Sequence, residues 1–176
     1  DDSNELVNLL FEMLDGSSIL DLFIDNVGPE LSANLQFVDY LIENNIVGCV
    51  RVHIKDGPYS VSDVWGKAEN LKQPHIELTL KEFRQSKDNQ LVAIADRIDR
   101  FIEQGNIVLK RDKFTFESDY TVVAQDLNEY LKDSSFAIFI GDHQRRKLFG
   151  NRRWPHTEDI TIVRDILDYI DVPIAS

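Results

Sequence analysis

Several things are scarce in this chain of 176 residues, and each shortage closes off a class of protein. Cys49 is its one cysteine, so neither a disulfide framework nor a cysteine-based zinc site can form within one chain. No apolar run approaches the ~20 residues that a membrane-spanning helix needs, and no signal-peptide pattern opens the sequence. A Gly-rich phosphate loop, a GxSxG elbow and HExxH ligand spacing are all missing. No enzyme signature results, and neither a cofactor nor a metal is expected. The default reading is a cytoplasmic protein with no membrane contact. The opening Asp1-Asp2-Ser3 lacks an initiator methionine and reads as a domain cut from something longer.

Hydrophobic residues at 43% and charged residues at 28% are ordinary for a folded globular chain. The charge is unevenly spread. Residues 1–50 hold ten acids and no Lys or Arg, while residues 143–156 hold Arg145, Arg146, Lys147, Arg152 and Arg153 and no acid. With a formal net charge of −12, the protein reads as an acidic body with one basic loop.

The stretch from His75 to Glu117 gives the clearest pattern. His75–Leu78 alternates like a short strand, and Thr79 with Glu82 has the spacing of a capping box. Leu80 and Phe83 give the helix they would start an apolar side. Leu91, Ile94, Ala95, Ile98, Phe101 and Ile102 recur at three-and-four spacing in a second helix, which Gly105 ends. Ile107–Lys110 and Phe114–Glu117 read as a hairpin about a turn near Arg111-Asp112-Lys113. Strand, helix, turn, helix and hairpin is the order of a winged helix-turn-helix.

Earlier in the chain, a first helix carries Leu6, Leu9, Leu10, Met13 and Leu14. A short second helix runs from Ser18 toward Asn26, and a third starts at Pro29 with Leu31, Leu35, Val38, Leu41 and Ile42 on one face. A hairpin over Ile46–Ile54 and Tyr59–Val61 is predicted next. Residues 38–47 match residues 98–108, and Ser-Asp follows each hairpin at 62–63 and 118–119, so a duplication is read. Helices over 63–72, 119–132 and 157–170 and an apolar strand over 135–140 complete the chain. The domains are then 1–61, an acidic first winged-helix unit, 62–132, a second unit, and 133–176, an extension with the basic loop. The fold class is α+β, mostly α.

Chemistry could be assembled around Asp142 and His143, which follow a buried strand, but without ligand spacing they read as a solvated turn. His53 and His75 read as structural. Nucleic acid is an alternative theme: Gln90, Arg97, Arg100, Lys110, Arg111 and Lys113 could follow a phosphate backbone, although Asp96, Asp99 and Glu103 interleave on the same helix. The basic loop, with Phe149 and Trp154 among its cations, suits an interface.

This order of elements on an acidic body resembles the tandem winged-helix superfamily. Its protein–protein adaptors include kleisin-binding subunits of chromosome-condensing complexes and subunits of ESCRT-II. The resemblance covers residues 3–132 and is one of fold order and charge, so no functional residue carries over from it. It implies a non-enzymatic adaptor of a larger assembly. The basic loop, read from its own composition, would meet protein partners or a second copy through Arg145, Arg146, Lys147, Phe149, Arg152, Arg153 and Trp154. The alternative is a nucleic-acid-binding regulator using the second unit and the basic loop, and an enzyme around Asp142 and His143 is a third reading.

Overall fold

Residues 19–25 read Ile-Leu-Asp-Leu-Phe-Ile-Asp, and residues 50–55 read Val-Arg-Val-His-Ile-Lys. In both, aliphatic side chains alternate with polar or aromatic ones, the period of a strand with two different faces. The computed structural model describes residues 2–55, 74–111, 115, 117–150 and 167–176, and in it the two stretches are strands as far as Phe23 and Ile54. In order, the elements are α1 (Asp2–Met13), β1 (Ile19–Phe23), α2 (Pro29–Glu43), β2 (Cys49–Ile54), α3 (Pro74–Gln85), α4 (Asn89–Gln104) and β3 (Ile107–Arg111). A 3-10 turn (Tyr120–Val123), α5 (Ala124–Leu131), β4 (Phe136–Phe139), α6 (Asp142–Leu148) and β5 (Ile174–Ala175) follow.

The five strands form one sheet in the order β3-β2-β1-β4-β5, and every pairing is parallel. On one face Leu20, Leu22, Ile24, Val50, Val52, Ile54, Phe136 and Ile138 pack with apolar residues of α1 to α4. On the other, Phe23, Ala137 and Phe139 pack with Tyr120, Leu127, Leu131, Leu148 and Ile170. A parallel sheet needs cover on both faces, and helices supply it here. No helix among the described residues is long and apolar enough to cross a membrane.

The tandem winged-helix expectation is therefore wrong, and so is a mostly α, α+β class: the fold is α/β around a parallel sheet. His75–Leu78 lies inside α3, where the Thr79 hydroxyl donates to the His75 carbonyl at 2.9 Å instead of capping a helix start. The expected helix from Ser18 is β1. Its acids at 21 and 25 suggest a helix face, but four residues apart they also share one face of a strand. Ile107–Arg111 is a strand but pairs parallel with β2, from Val50↔Ile107 to Ile54↔Arg111, so no wing forms from it. Residues 141–148, expected as loop, hold α6.

Readings that agree with the structure include the first helix, α2 beginning at Pro29, α4 with its left-handed Gly105 cap, helical structure within 119–132 and a strand within 135–140. The matching segments 38–47 and 98–108 are two helix-to-strand junctions, α2 into β2 and α4 into β3. Ile42 and Ile102 are both half-buried there. Each junction leads into a strand of the parallel sheet, and neither belongs to a winged helix. The expected strand over 59–61 and helix over 63–72 lie outside the described residues, as do residues 157–166 of the expected helix over 157–170, while residues 167–169 form a turn.

Candidate active site

The strand order turns between β1 and β4: from β1 the chain builds outward through β2 to β3, then returns to place β4 on β1's other side. At such a switch point the loops leaving the two carboxyl ends diverge and open a crevice, the usual ligand position in a doubly wound sheet. The segment after β1 is Ile24-Asp25-Asn26, and the segment after β4 is Ile140-Gly141-Asp142-His143.

Asp25 is the centre of this place and is fully buried. Its Oδ1 accepts from Lys55 Nζ at 2.7 Å, and Lys55 is itself 1% exposed. Its Oδ2 accepts from the backbone N–H of His143 at 3.3 Å. Gly141, at φ 97°, brings its backbone against the carboxylate, since a Cβ there would stand 2.7 Å from Asp25 Cβ. Asn26 donates from its backbone and its side-chain amide to the Glu30 carboxylate in the first turn of α2, at 3.2 and 3.1 Å. Below α6, Gln144 donates to the Ile24 carbonyl at 3.2 Å and accepts from the Tyr120 hydroxyl at 2.5 Å. Lys147 is buried and donates to the Thr115 carbonyl. The first turn of α6 is thus tied to the carboxyl end of β1.

The same sheet face carries a ladder of complementary residues leading to the crevice. Asp21 pairs with Arg51 and Phe23 with His53 in register, and the next rung joins Asp25 to Lys55. Asp21 accepts from the Arg51 guanidinium, from the Ser134 hydroxyl and from His53 Nε2 at 2.5 Å. Burial pushes the Asp21 carboxyl up. Hydrogen bonds from His53 and Arg51, the charge of His53 and the Ser134 hydroxyl outweigh burial and leave it below its ordinary value. His53, expected to be structural, fits that role in this network.

The other sequence-nominated residues lie elsewhere. Arg97 donates twice to Asp39 at 2.7 Å, and Arg97 and Arg100 each come within 3.9 Å of Glu43. Two of the cations proposed for phosphates are therefore engaged with acids of α2. Gln90 and Arg97 line an open depression of 390 Å³ with Asn89, Ala93 and Ile94. Lys110 and Arg111 are half-buried in β3, and Lys113 is outside the described residues. In the basic segment Arg145 and Arg146 are exposed, Arg146 pairing with Asp142, while Lys147 and Phe149 are buried. Arg152, Arg153 and Trp154 are outside the described residues.

A helix read over 18–26 hides Asp25 and Asn26, and reading Lys55-Asp-Gly-Pro58 as a turn hides Lys55. The signal was present in the matched alternation of Asp21, Phe23 and Asp25 with Arg51, His53 and Lys55. Asp25 and Asn26 offer the hard oxygens that a divalent cation takes. Among the described residues, however, no group of three or more His, Cys, Asp or Glu side chains could hold a metal ion.

Residues 1–168 match the model of the damage-control phosphatase ARMT1-like domain. The chain belongs to that family. Curated relatives named "Damage-control phosphatase ARMT1" include the Danio rerio protein, 32% identical over 142 residues. Those of Rattus norvegicus and Mus musculus are 27% and 29% identical. Each alignment covers 78% of this chain but only 30 to 31% of the relative. The chain therefore spans about a third of the ARMT1 proteins it matches. The adaptor reading, with its kleisin-binding and ESCRT-II resemblance, is overturned by this membership, and the nucleic-acid alternative finds no support in it.

Proposed function

We propose that the chain carries part or all of a phosphatase site that hydrolyses phosphomonoesters in the crevice outside the carboxyl ends of β1 and β4. The observation that carries this reading is Asp25. It is a fully buried carboxylate at the switch point of the sheet, held by Lys55 on one oxygen and the His143 N–H on the other. Buried charge at a crevice is costly, and natural proteins keep it where chemistry uses it. The family, whose named relatives are phosphatases, supplies the reaction class.

Phosphoryl transfer asks a protein mainly for positioning and for charge placed against the transferring group. An ionised Asp25 facing a phosphate dianion would repel it. A hard divalent cation set between them would remove that repulsion and supply Lewis-acid chemistry. Asp25 and Asn26 would contribute oxygens to such an ion; other donors would have to come from beyond the described residues. Within this chain, the His143 N–H holds one oxygen of Asp25, the Asn26–Glu30 pair fixes the loop after β1, and Gln144 ties α6 to the same strand end.

The test is hydrolysis of p-nitrophenyl phosphate by the purified protein and by its Asp25→Asn variant, with and without added Mg²⁺ or Mn²⁺. Turnover that the substitution reduces by 100-fold or more, about the effect of losing a positioned charged group, supports the reading. Equal turnover in both proteins places the chemistry elsewhere.

A further inference from the structure

Lys55 is the buried cation that the reaction itself does not explain. We propose that it is a positioning residue for Asp25, an inference that rests on the phosphatase reading above. Its ammonium group fixes one carboxylate oxygen and thereby sets where the other one stands at the switch point.

The placement follows from the register. Phe23 pairs with His53 in the last rung of β1 and β2, and Asp25 and Lys55, two residues on and just past the two strand ends, continue on the same side. Their side chains meet at 2.7 Å with both residues withdrawn from solvent. Lys55 reaches the carboxylate from the β2 side, and the His143 N–H reaches it from the β4 side at 3.3 Å. The Gly141 backbone closes a third direction, leaving no room for a Cβ. A carboxylate oxygen has two lone-pair directions. The single long bond from the His143 N–H leaves Oδ2 with a second lone pair that no donor among the described residues fills. Lys55, at 1% exposure, is shut off from solvent, so any effect on a substrate runs through the groups it touches, Asp25 among them.

A residue that acts by placement affects turnover more than substrate affinity. The experiment measures kcat and KM for p-nitrophenyl phosphate in the wild type, Lys55→Met and Lys55→Arg, with thermal melting of each. Lys55→Met removes the charge. Lys55→Arg keeps the charge and changes where it sits, so it decides the matter if the methionine variant does not fold. The expected result is a kcat lowered about 100-fold by Lys55→Met and about tenfold or more by Lys55→Arg, with KM within about threefold of wild type. Wild-type kcat in a folded variant, or a change confined to KM, overturns the proposal. If the wild type itself hydrolyses nothing, the phosphatase reading fails separately. Crystal structures of the wild type and Lys55→Arg then decide, because an Asp25 carboxylate in the same place in both overturns the positioning role.

Discussion

Phe23 and His53 stack with ring centroids 4.1 Å apart and planes 11° from parallel. Phe23 also stacks on Phe139, at 4.3 Å and 5°. The three rings therefore run across β4, β1 and β2, one ring per strand, and tie the two sides of the switch point together. Truncation of the central ring removes contacts on both sides. Phe23→Ala is expected to destabilise the fold by about 3–5 kcal/mol, measured from urea unfolding midpoints at unchanged slope. A loss below about 1 kcal/mol would mean that the stack closes over the gap.

Asp21 predicts a pH dependence of stability. Its folded carboxyl titrates below the ordinary value of 3.8, so its contribution is fully present above 3.8 and is lost as pH falls through the lower folded value. Asp21→Asn keeps one acceptor oxygen but removes the charge that Arg51 and His53 share and turns an N–H2 donor toward their donors, which should cost about 3–5 kcal/mol near neutral pH. The gap in melting temperature between wild type and variant should narrow as pH drops below 3.8. A gap that stays constant through this range would show that the carboxylate charge is not what stabilises the network.

Gly141→Ala tests the close approach at the crevice. The added Cβ would stand 2.7 Å from Asp25 Cβ and 2.8 Å from its Oδ2, and the backbone φ of 97° disfavours any L side chain. The strain should cost about 1–3 kcal/mol, and displacement of Asp25 should lower phosphatase turnover about 100-fold. Wild-type melting and wild-type turnover together would mean that the loop relaxes without moving the carboxylate.

Arg97→Ala tests whether the cation of α4 is structural. It removes both hydrogen bonds to Asp39, which is 4% exposed on α2. A buried carboxylate left without its donor should cost about 1–3 kcal/mol, read as a lowered urea midpoint. No change in that midpoint would indicate that Asp39 rehydrates freely, and the α2–α4 clamp would then be energetically silent.

Local chemistry was enough for some of this protein. Pro29 starts α2, three-and-four spacing makes α4, and Gly105 ends it in a left-handed cap, because those signals act within a few residues of one another. The apolar run at 136–139 reads as a strand for the same reason. Strand direction has no such local signal. Ile107–Arg111 is equally suited to a hairpin and to a parallel ladder, and only its partner Val50–Ile54, more than fifty residues earlier, decides which one forms. The candidate site is decided the same way. Asp25, Lys55 and His143 are ordinary polar residues in the sequence, and their chemistry exists only where parallel pairing brings three strand ends together. Burying that carboxylate and ammonium side by side requires the sheet to be covered on both faces, which no single segment can specify.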